Sequence, residues 1–229
     1  MTRVLGVEPV VPLALVSDWM IREAGKGCCV PFSETKGYYA VDRWGKTTGP
    51  FKLGGYEEYD ATECRELYFE NAPNNPILYV SESLEERASP MTISPELHAE
   101  IDHLLPEDAK DVGSEYMRDS AKSLEDYRWS RAMAFEWRTA AGVQRYVAVG
   151  GDALVVFRIE EHPKQLCVID ENLRGFPQYR PTGVAQLDTT PEPELVFLES
   201  EGASWDTAIV TLGPDRCEWR AASVGGSTA

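Results

Sequence analysis

Basic residues and histidine are scarce in this chain. Lysine and arginine total 22 against 38 acidic residues, and with three histidines the 229-residue chain carries a formal charge of −16. Such a charge disfavours binding to nucleic acid and to anionic lipid, and it favours basic protein partners. No run of about 18 apolar residues is present, so we predict no membrane span and no membrane partner.

Cysteine is also sparse. The five cysteines are odd in number and unevenly spaced. They do not predict a disulfide framework, and a reducing cytoplasm is the expected location. The apolar patch from Val7 to Val16 is a poor secretory signal because a glutamate and two prolines interrupt it, although a chain with its signal already removed would look the same.

Common catalytic motifs are missing. The sequence contains no Gly-x-Ser-x-Gly elbow, no zinc-type Cys-x-x-Cys and no His-Glu-x-x-His. The pairs Gly54-Gly55 and Gly150-Gly151 lack the Lys-Ser/Thr ending of a phosphate loop, so they predict turns. We therefore predict no catalytic residues, no metal and no cofactor, and we favour a non-enzymatic role.

Two groups of residues keep other functions open. Cys28 and Cys29 lie in a glycine-flanked loop, where one thiol could act as a nucleophile with a histidine as its base. Glu100 and His103 form a Glu-x-x-His pair, half of a di-metal motif, but no second copy occurs. Incidental thiols and a solvated helix face are the simpler interpretations of these two groups.

The stretch from Tyr127 to Asp170 organises the predicted fold. Tyr127 to Arg138 alternates between aromatic or apolar and small or polar residues, which is the period of a half-buried strand. Glycine-containing turns follow, and the run from Leu154 to Ile159 is apolar on both faces apart from Arg158, as in a strand covered on both sides. We predict an antiparallel meander of four strands over 127–170. Arg131, on the aromatic side, must reach the sheet edge or find a partner.

Helices and shorter strands surround the meander in this prediction. The best helix signal is Ser94 as N-cap with Pro95 at the first helical position, and Pro106 ends that helix. Further helices are predicted at Pro12–Ala24, Ala61–Glu70 and Ser114–Glu125. Strands are predicted at Tyr38–Trp44, Phe51–Leu53, Ile77–Val80, Leu195–Leu198, Trp205–Leu212 and Cys217–Trp219, with a long loop over Glu171–Glu194. The fold class is therefore α+β, with the meander and C-terminal strands over 195–219 forming an antiparallel sheet and three to four helices coming mostly from the N-terminal half.

Length and composition indicate one domain. At 43% hydrophobic residues the chain can bury a substantial core. We predict a single domain over 1–220, with a weak boundary near 106–113. The small residues from 221 to 229 predict a disordered tail.

The acidic residues concentrate on both sides of the meander. From Glu57 to Asp111 there are 15 acidic and three basic residues, whereas the span from Glu115 to Arg180 carries ten of each sign. The span from Asp188 to Asp215 contains seven acidic residues and no basic one. In the first window, tyrosines alternate with glutamates, and aromatic contact area beside carboxylates is typical of a surface that binds a basic protein. The predicted partner-binding residues are Tyr56, Glu57, Glu58, Tyr59, Glu63, Glu66 and Glu70.

These features favour a non-enzymatic acidic binding protein. Its profile is similar to that of immunity proteins and of acidic inhibitors that neutralise a bacterial toxin or nuclease. The prediction requires the carboxylates to gather into one continuous exterior patch. The alternatives are a thiol-dependent enzyme using Cys28 or Cys29, and a structural or accessory subunit that binds through the Ala132 and Ala134 side of the meander. Acidic composition for solubility alone is the simplest explanation of the charge.

Overall fold

The chain folds mostly as antiparallel β-sheet, so the predicted α+β class with three to four helices is wrong. The computed structural model describes residues 13–15, 37–59, 64–69, 71, 73, 76–80, 82–106, 128–169, 178–187, 189–201 and 204–222. Within these residues, helical structure is confined to one helix, α1 (Pro95–Leu104), and a turn at 128–130. No helix of this described part is long and apolar enough to cross a bilayer.

An N-terminal sheet contains five antiparallel strands in the order β1-β5-β2-β3-β4. Its strands are β1 (Leu13–Leu15), β2 (Gly37–Val41), β3 (Thr47–Tyr59), β4 (Cys64–Phe69) and β5 (Leu78–Val80). The predicted pairing of Phe51–Leu53 with the strand from Tyr38 is confirmed in part, since Tyr38 is opposite Phe51. The predicted helix Pro12–Ala24 is wrong at 13–15, where β1 pairs with β5, and its remainder lies outside the described residues.

The predicted helix Ala61–Glu70 is also wrong at 64–69, and its other residues lie outside the described residues. Residues 64–69 form β4, which pairs with β3 from Leu53↔Phe69 to Tyr59↔Cys64. The apolar residues Cys64, Leu67 and Tyr68 match a helical period, but so short a run is equally compatible with a strand, and pairing with β3 decides between them. Aromatic Tyr68 and Phe69 also favour extended backbone.

A central sheet contains the predicted meander, in the order β10-β9-β8-β7-β6. Its strands are β6 (Ala88–Pro90), β7 (Met133–Thr139), β8 (Gly142–Val149), β9 (Leu154–Ile159) and β10 (Pro163–Ile169). The four strands from β7 to β10 are antiparallel neighbours, as predicted. The first of them begins at Met133 rather than Tyr127, because residues 128–130 form a helical turn.

A C-terminal sheet has the order β11-β12-β13-β14. Its strands are β11 (Gln178–Ala185), β12 (Glu194–Glu201), β13 (Ser204–Leu212) and β14 (Cys217–Ala222). The last three confirm the predicted strands, with slightly wider bounds. The predicted loop over 171–194 is wrong where β11 forms. Pro181 is tolerated there because β11 is an edge strand with a bulge between Pro181 and Gly183.

Several of these strands are buried on both faces, which stacks the elements in layers. On β12, Leu195 and Phe197 pack against the central sheet, whereas Val196 packs against Val41 and Leu78 of the N-terminal sheet. On β9, Leu154 and Val156 face the C-terminal sheet and the intervening residues face α1. The order of layers is therefore α1, central sheet, C-terminal sheet, N-terminal sheet. The doubly covered strand predicted for Leu154–Ile159 is confirmed.

Helix α1 begins as predicted. The Ser94 hydroxyl accepts a hydrogen bond from Leu97 N at 3.2 Å, and Pro95 occupies the first turn. Ile101 and Leu105 then pack on the outer face of the central sheet together with Ala132 and Ala134. The helix thereby covers the surface predicted for an accessory-subunit partner. The predicted helix Ser114–Glu125 lies outside the described residues.

A disulfide joins two sheets, contrary to the expectation of free thiols. Cys167 of β10 and Cys217 of β14 are bonded, with a Cα–Cα distance of 5.8 Å. Each cysteine lies on an edge strand of its sheet, and both are partly buried against the core between those sheets. The disulfide therefore closes one side of the two-sheet core. The sequence does not predict this pairing, because 50 residues separate the two cysteines. Ala221 and Ala222 belong to β14, whereas the rest of the predicted tail, 223–229, lies outside the described residues.

Candidate partner-binding site

The predicted partner-binding residues fall on a two-stranded extension of the N-terminal sheet. Strand β3 pairs with β2 up to Lys52 and with β4 from Leu53 onwards. We call residues 53–59 and 64–69 the acidic arm. In the described part of the chain, β4 pairs with β3. At strand spacing the arm is about 20 Å long.

The hairpin brings most of the predicted residues into one ribbon. Tyr56, Glu57, Glu58 and Tyr59 are on β3, and Glu66 is on β4. Glu63 and Glu70 lie outside the described residues. The sequence prediction placed the second half of the set on a helix, whereas Glu66 is on a strand.

The strand register concentrates negative charge in the arm. Glu57 is directly opposite Glu66, and Glu58 is opposite Arg65. Like charges at directly paired positions destabilise a strand pair, and an isolated two-stranded hairpin is only marginally stable. A cationic partner bound to the arm would offset both costs.

The acidic residues of α1 do not join the arm. Glu96, Glu100 and Asp102 belong to α1, which is in the outermost layer on the far side of the molecule from the N-terminal sheet. Among the described residues, the carboxylates therefore do not form the one continuous patch that the prediction requires. Other acidic residues of the first window, such as Glu107 and Asp108, lie outside the described residues.

Basic side chains from the middle of the chain contact two carboxylates of α1. His162 Nδ1 lies 2.9 Å from Glu100 Oε1. Arg128 Nη2 lies 3.6 Å from Asp102 Oδ1, and the Arg128 side chain is buried. The arm is thus the better candidate of the two regions.

Three of the C-terminal acidic residues also stabilise the fold. Glu194 is buried and accepts a hydrogen bond from Leu187 N at 2.9 Å. Tyr179 donates its hydroxyl to Glu199 at 3.2 Å. Asp215 forms an ion pair with Lys164 at 3.2 Å. These three carboxylates stabilise strands and turns.

The remaining candidates from the sequence do not assemble a reactive centre. Cys28 and Cys29 lie outside the described residues. Glu100 is engaged by His162, and no group of three metal-ligating side chains occurs among the residues whose side chains are placed. Burial raises the pKa of Tyr146 to about 12, and its hydroxyl donates to Gln144, so this core phenol stays protonated at neutral pH.

Comparison of the chain with protein-family models, with curated proteins and with solved structures found no match. The functional argument therefore depends on this chain's own residues.

Proposed function

We propose that this is a non-enzymatic binding protein that neutralises a basic protein, such as a bacterial toxin or nuclease, through its acidic arm. The observation that supports this most directly is the pairing of Glu57 with Glu66 in a hairpin extending from the sheet. The net charge of −16 also supports the proposal, because it repels nucleic acid and attracts cationic proteins.

The arm has the chemistry that such a partner requires. Carboxylates pair with arginine or lysine, and complementary charge raises the rate of association. Tyrosine supplies contact area at low entropic cost. Among the described residues, β4 is an edge strand of its sheet, to which an extended segment of the partner can add as a further strand.

The compartment is part of the proposal. The cysteine count favours the cytoplasm, but the disulfide between Cys167 and Cys217 is typical of oxidising compartments. We therefore propose that the protein acts outside the reducing cytoplasm. Alkylation of a native extract before and after reduction, followed by mass spectrometry, tests this: two thiols that react only after reduction support it, and their labelling without reduction contradicts it.

Charge-neutralising variants test the role of the arm. The variant Glu57→Gln, Glu58→Gln, Glu66→Gln removes three charges from it. The matched control Glu82→Gln, Glu86→Gln, Glu161→Gln removes the same charge from exposed side chains elsewhere. Each tagged protein is used for affinity capture from the native lysate at about 50 and about 500 mM salt, and captured proteins are identified by mass spectrometry.

We expect the wild-type protein and the control variant to capture the same basic protein at low salt. Capture by the arm variant should fall at least about tenfold, because close charge pairs at interfaces contribute on the order of 1.5 kcal/mol or more each. Equal capture by the arm variant, or capture that does not weaken with salt, would refute the proposal.

A further inference from the structure

Strand β14 is an edge strand of the C-terminal sheet, and its described side chains are only partly buried. At positions 217–219, Cys217 is partly buried, whereas Glu218 and Trp219 are exposed. The Trp219 ring packs edge-on against Phe197, with the ring centroids 5.7 Å apart. Apolar burial at these positions therefore contributes little to holding β14 in place.

The neighbouring strand β13 is buried and is anchored from its other side. Residues 207–212 are all buried, and their apolar side chains lie in the two cores that flank the C-terminal sheet. Strand β13 pairs with β12 over residues 204–211, and Leu212 N donates a hydrogen bond to the Pro193 carbonyl at 2.9 Å. Strand β13 can therefore keep its place without β14.

The ladder between β13 and β14 is shorter and is interrupted. It runs from Leu212↔Cys217 to Ala208↔Ala222, and its register shifts between Ile209 and Val210. A bulge of this kind leaves one residue unpaired and disrupts the ladder locally. Backbone pairing is thus weaker on the β14 side of β13 than on the β12 side.

In the described part of the chain, β14 and the turn before it are also tied to the central sheet. Apart from the disulfide, the ties are an ion pair between Lys164 and Asp215 at 3.2 Å and a hydrogen bond from Arg158 Nη1 to the Pro214 carbonyl at 3.5 Å. The Lys164 and Asp215 side chains are 57% and 81% exposed, so their ion pair contributes little. The hydrogen bond is long and therefore weak. The disulfide is the strongest of these connections.

We propose that the disulfide between Cys167 and Cys217 is a redox-sensitive latch for β14, opened by a dithiol reductant. One thiolate of the dithiol attacks a sulfur of the disulfide and forms a mixed disulfide, and the other cysteine leaves as a thiolate and takes up a proton. The second thiol of the dithiol then displaces the bound cysteine. The dithiol becomes a disulfide, and two electrons and two protons pass to the protein.

Reduction releases β14 and uncovers the edge of β13. The backbone groups of β13 that faced β14 then lack their partners, whereas the pairing of β13 with β12 remains. The latch is independent of the acidic arm, because the arm belongs to the N-terminal sheet. The conformation of this edge thus reports the redox state of the surroundings.

Pulse labelling with deuterium measures the release. The full chain, with or without prior reduction by dithiothreitol, is placed in deuterated buffer for about 10 s, quenched, digested and analysed by mass spectrometry. We expect the paired amides of β14 to stay protected in the oxidised protein. In the reduced protein they should exchange at least about tenfold faster, at the rate of an unstructured chain. Amides of β8 and β9, which are interior strands of the central sheet, should stay protected in both states.

Three results of this experiment would overturn the proposal. The first is protection of β14 that persists after reduction. The second is loss of protection in β8 and β9 together with β14, which would show unfolding of the whole core. The third is rapid exchange of β14 in the oxidised protein, which would show that the disulfide does not hold the strand.

Two variants separate the disulfide from the other contacts. In Cys167→Ala, Cys217→Ala, β14 should exchange rapidly with or without the reductant, and slow exchange would contradict the latch. Lys164→Gln removes the ion pair with Asp215 and keeps the disulfide, so its oxidised form should protect β14 as the wild-type protein does. Rapid exchange in oxidised Lys164→Gln would assign the role to the ion pair and overturn the proposal. If the double variant does not fold, reduced wild-type protein gives the same comparison.

Discussion

Removing the disulfide between Cys167 and Cys217 should substantially destabilise the protein. The bond links residues 50 positions apart and joins edge strands of two facing sheets. In the chain-entropy relation, closing a loop of this length restricts the unfolded chain by about 4 kcal/mol at 25 °C. The double variant Cys167→Ala, Cys217→Ala should lose most of that stability, since alanine leaves no unpaired thiol in the core.

Urea unfolding monitored by tryptophan fluorescence measures this loss. With a slope of about 2–3 kcal/mol per molar urea, a loss of about 4 kcal/mol corresponds to a midpoint lowered by about 1.3–2 M. Adding a reducing agent to the wild-type protein should lower its midpoint to that of the double variant. The double variant treated with the same agent is the control, and its midpoint should not move.

Two results would contradict the reasoning. One is a wild-type midpoint that reduction shifts by less than about 0.3 M urea, which would mean that the bond contributes little. The other is labelling of both cysteines without prior reduction, which would mean that the bond does not form. In either case the edge-strand connection would depend on packing, on the ion pair between Lys164 and Asp215 and on the hydrogen bond from Arg158 to the Pro214 carbonyl.

Three further substitutions test other contacts. Ser94→Ala should cost about 1 kcal/mol because it removes the N-cap of α1. The pKa of Glu96 is lowered by a hydrogen bond to its own backbone and then by one to Ser94, so it should rise in this variant. Trp137→Phe should cost about 3 kcal/mol, since the buried indole donates to the Pro191 carbonyl at 2.7 Å. Gly150→Ala should cost at least about 2 kcal/mol because the added Cβ would lie 2.2 Å from a backbone oxygen of β11.

Each of these outcomes has a direct measurement. Urea midpoints give the three stability changes. A midpoint shift of less than about 0.2 M in any variant would contradict the stabilising role assigned to the substituted residue. An NMR titration of the Glu96 carboxyl carbon gives its pKa. Because that pKa is lowered in the folded state, its stabilising effect is present at neutral pH and is lost as pH falls through the folded-state pKa. The effect should be smaller in the Ser94→Ala variant, and an unchanged Glu96 pKa would refute the role of Ser94.

Local sequence patterns correctly predicted those elements in which the hydrophobic period and the signals at the ends indicate the same secondary structure. The meander followed from alternating apolar residues such as Met133, Phe135 and Trp137 between glycine-containing turns. Helix α1 followed from Ser94, Pro95 and its apolar stripe. In both cases the local signal and the final packing favour the same backbone.

Prediction failed where a short sequence pattern is compatible with two backbone conformations. Residues 64–69 suit a helix or a strand, and their long-range pairing with β3 made them a strand. In β11, Pro181 and Gly183 read as loop residues, yet an edge position and a bulge accommodate both.

The sequence by itself determined the charge of the molecule, the period of its meander and the start of its helix, because these depend on residues that are neighbours along the chain. Only the tertiary structure decided that Glu57 is paired with Glu66, that Cys167 meets Cys217, and that α1 is on the far side of the molecule from the N-terminal sheet. The physical reason is that each of these outcomes depends on strand pairing or layer packing between distant segments. Such contacts are selected by the burial and hydrogen bonding of the whole core rather than by local preference.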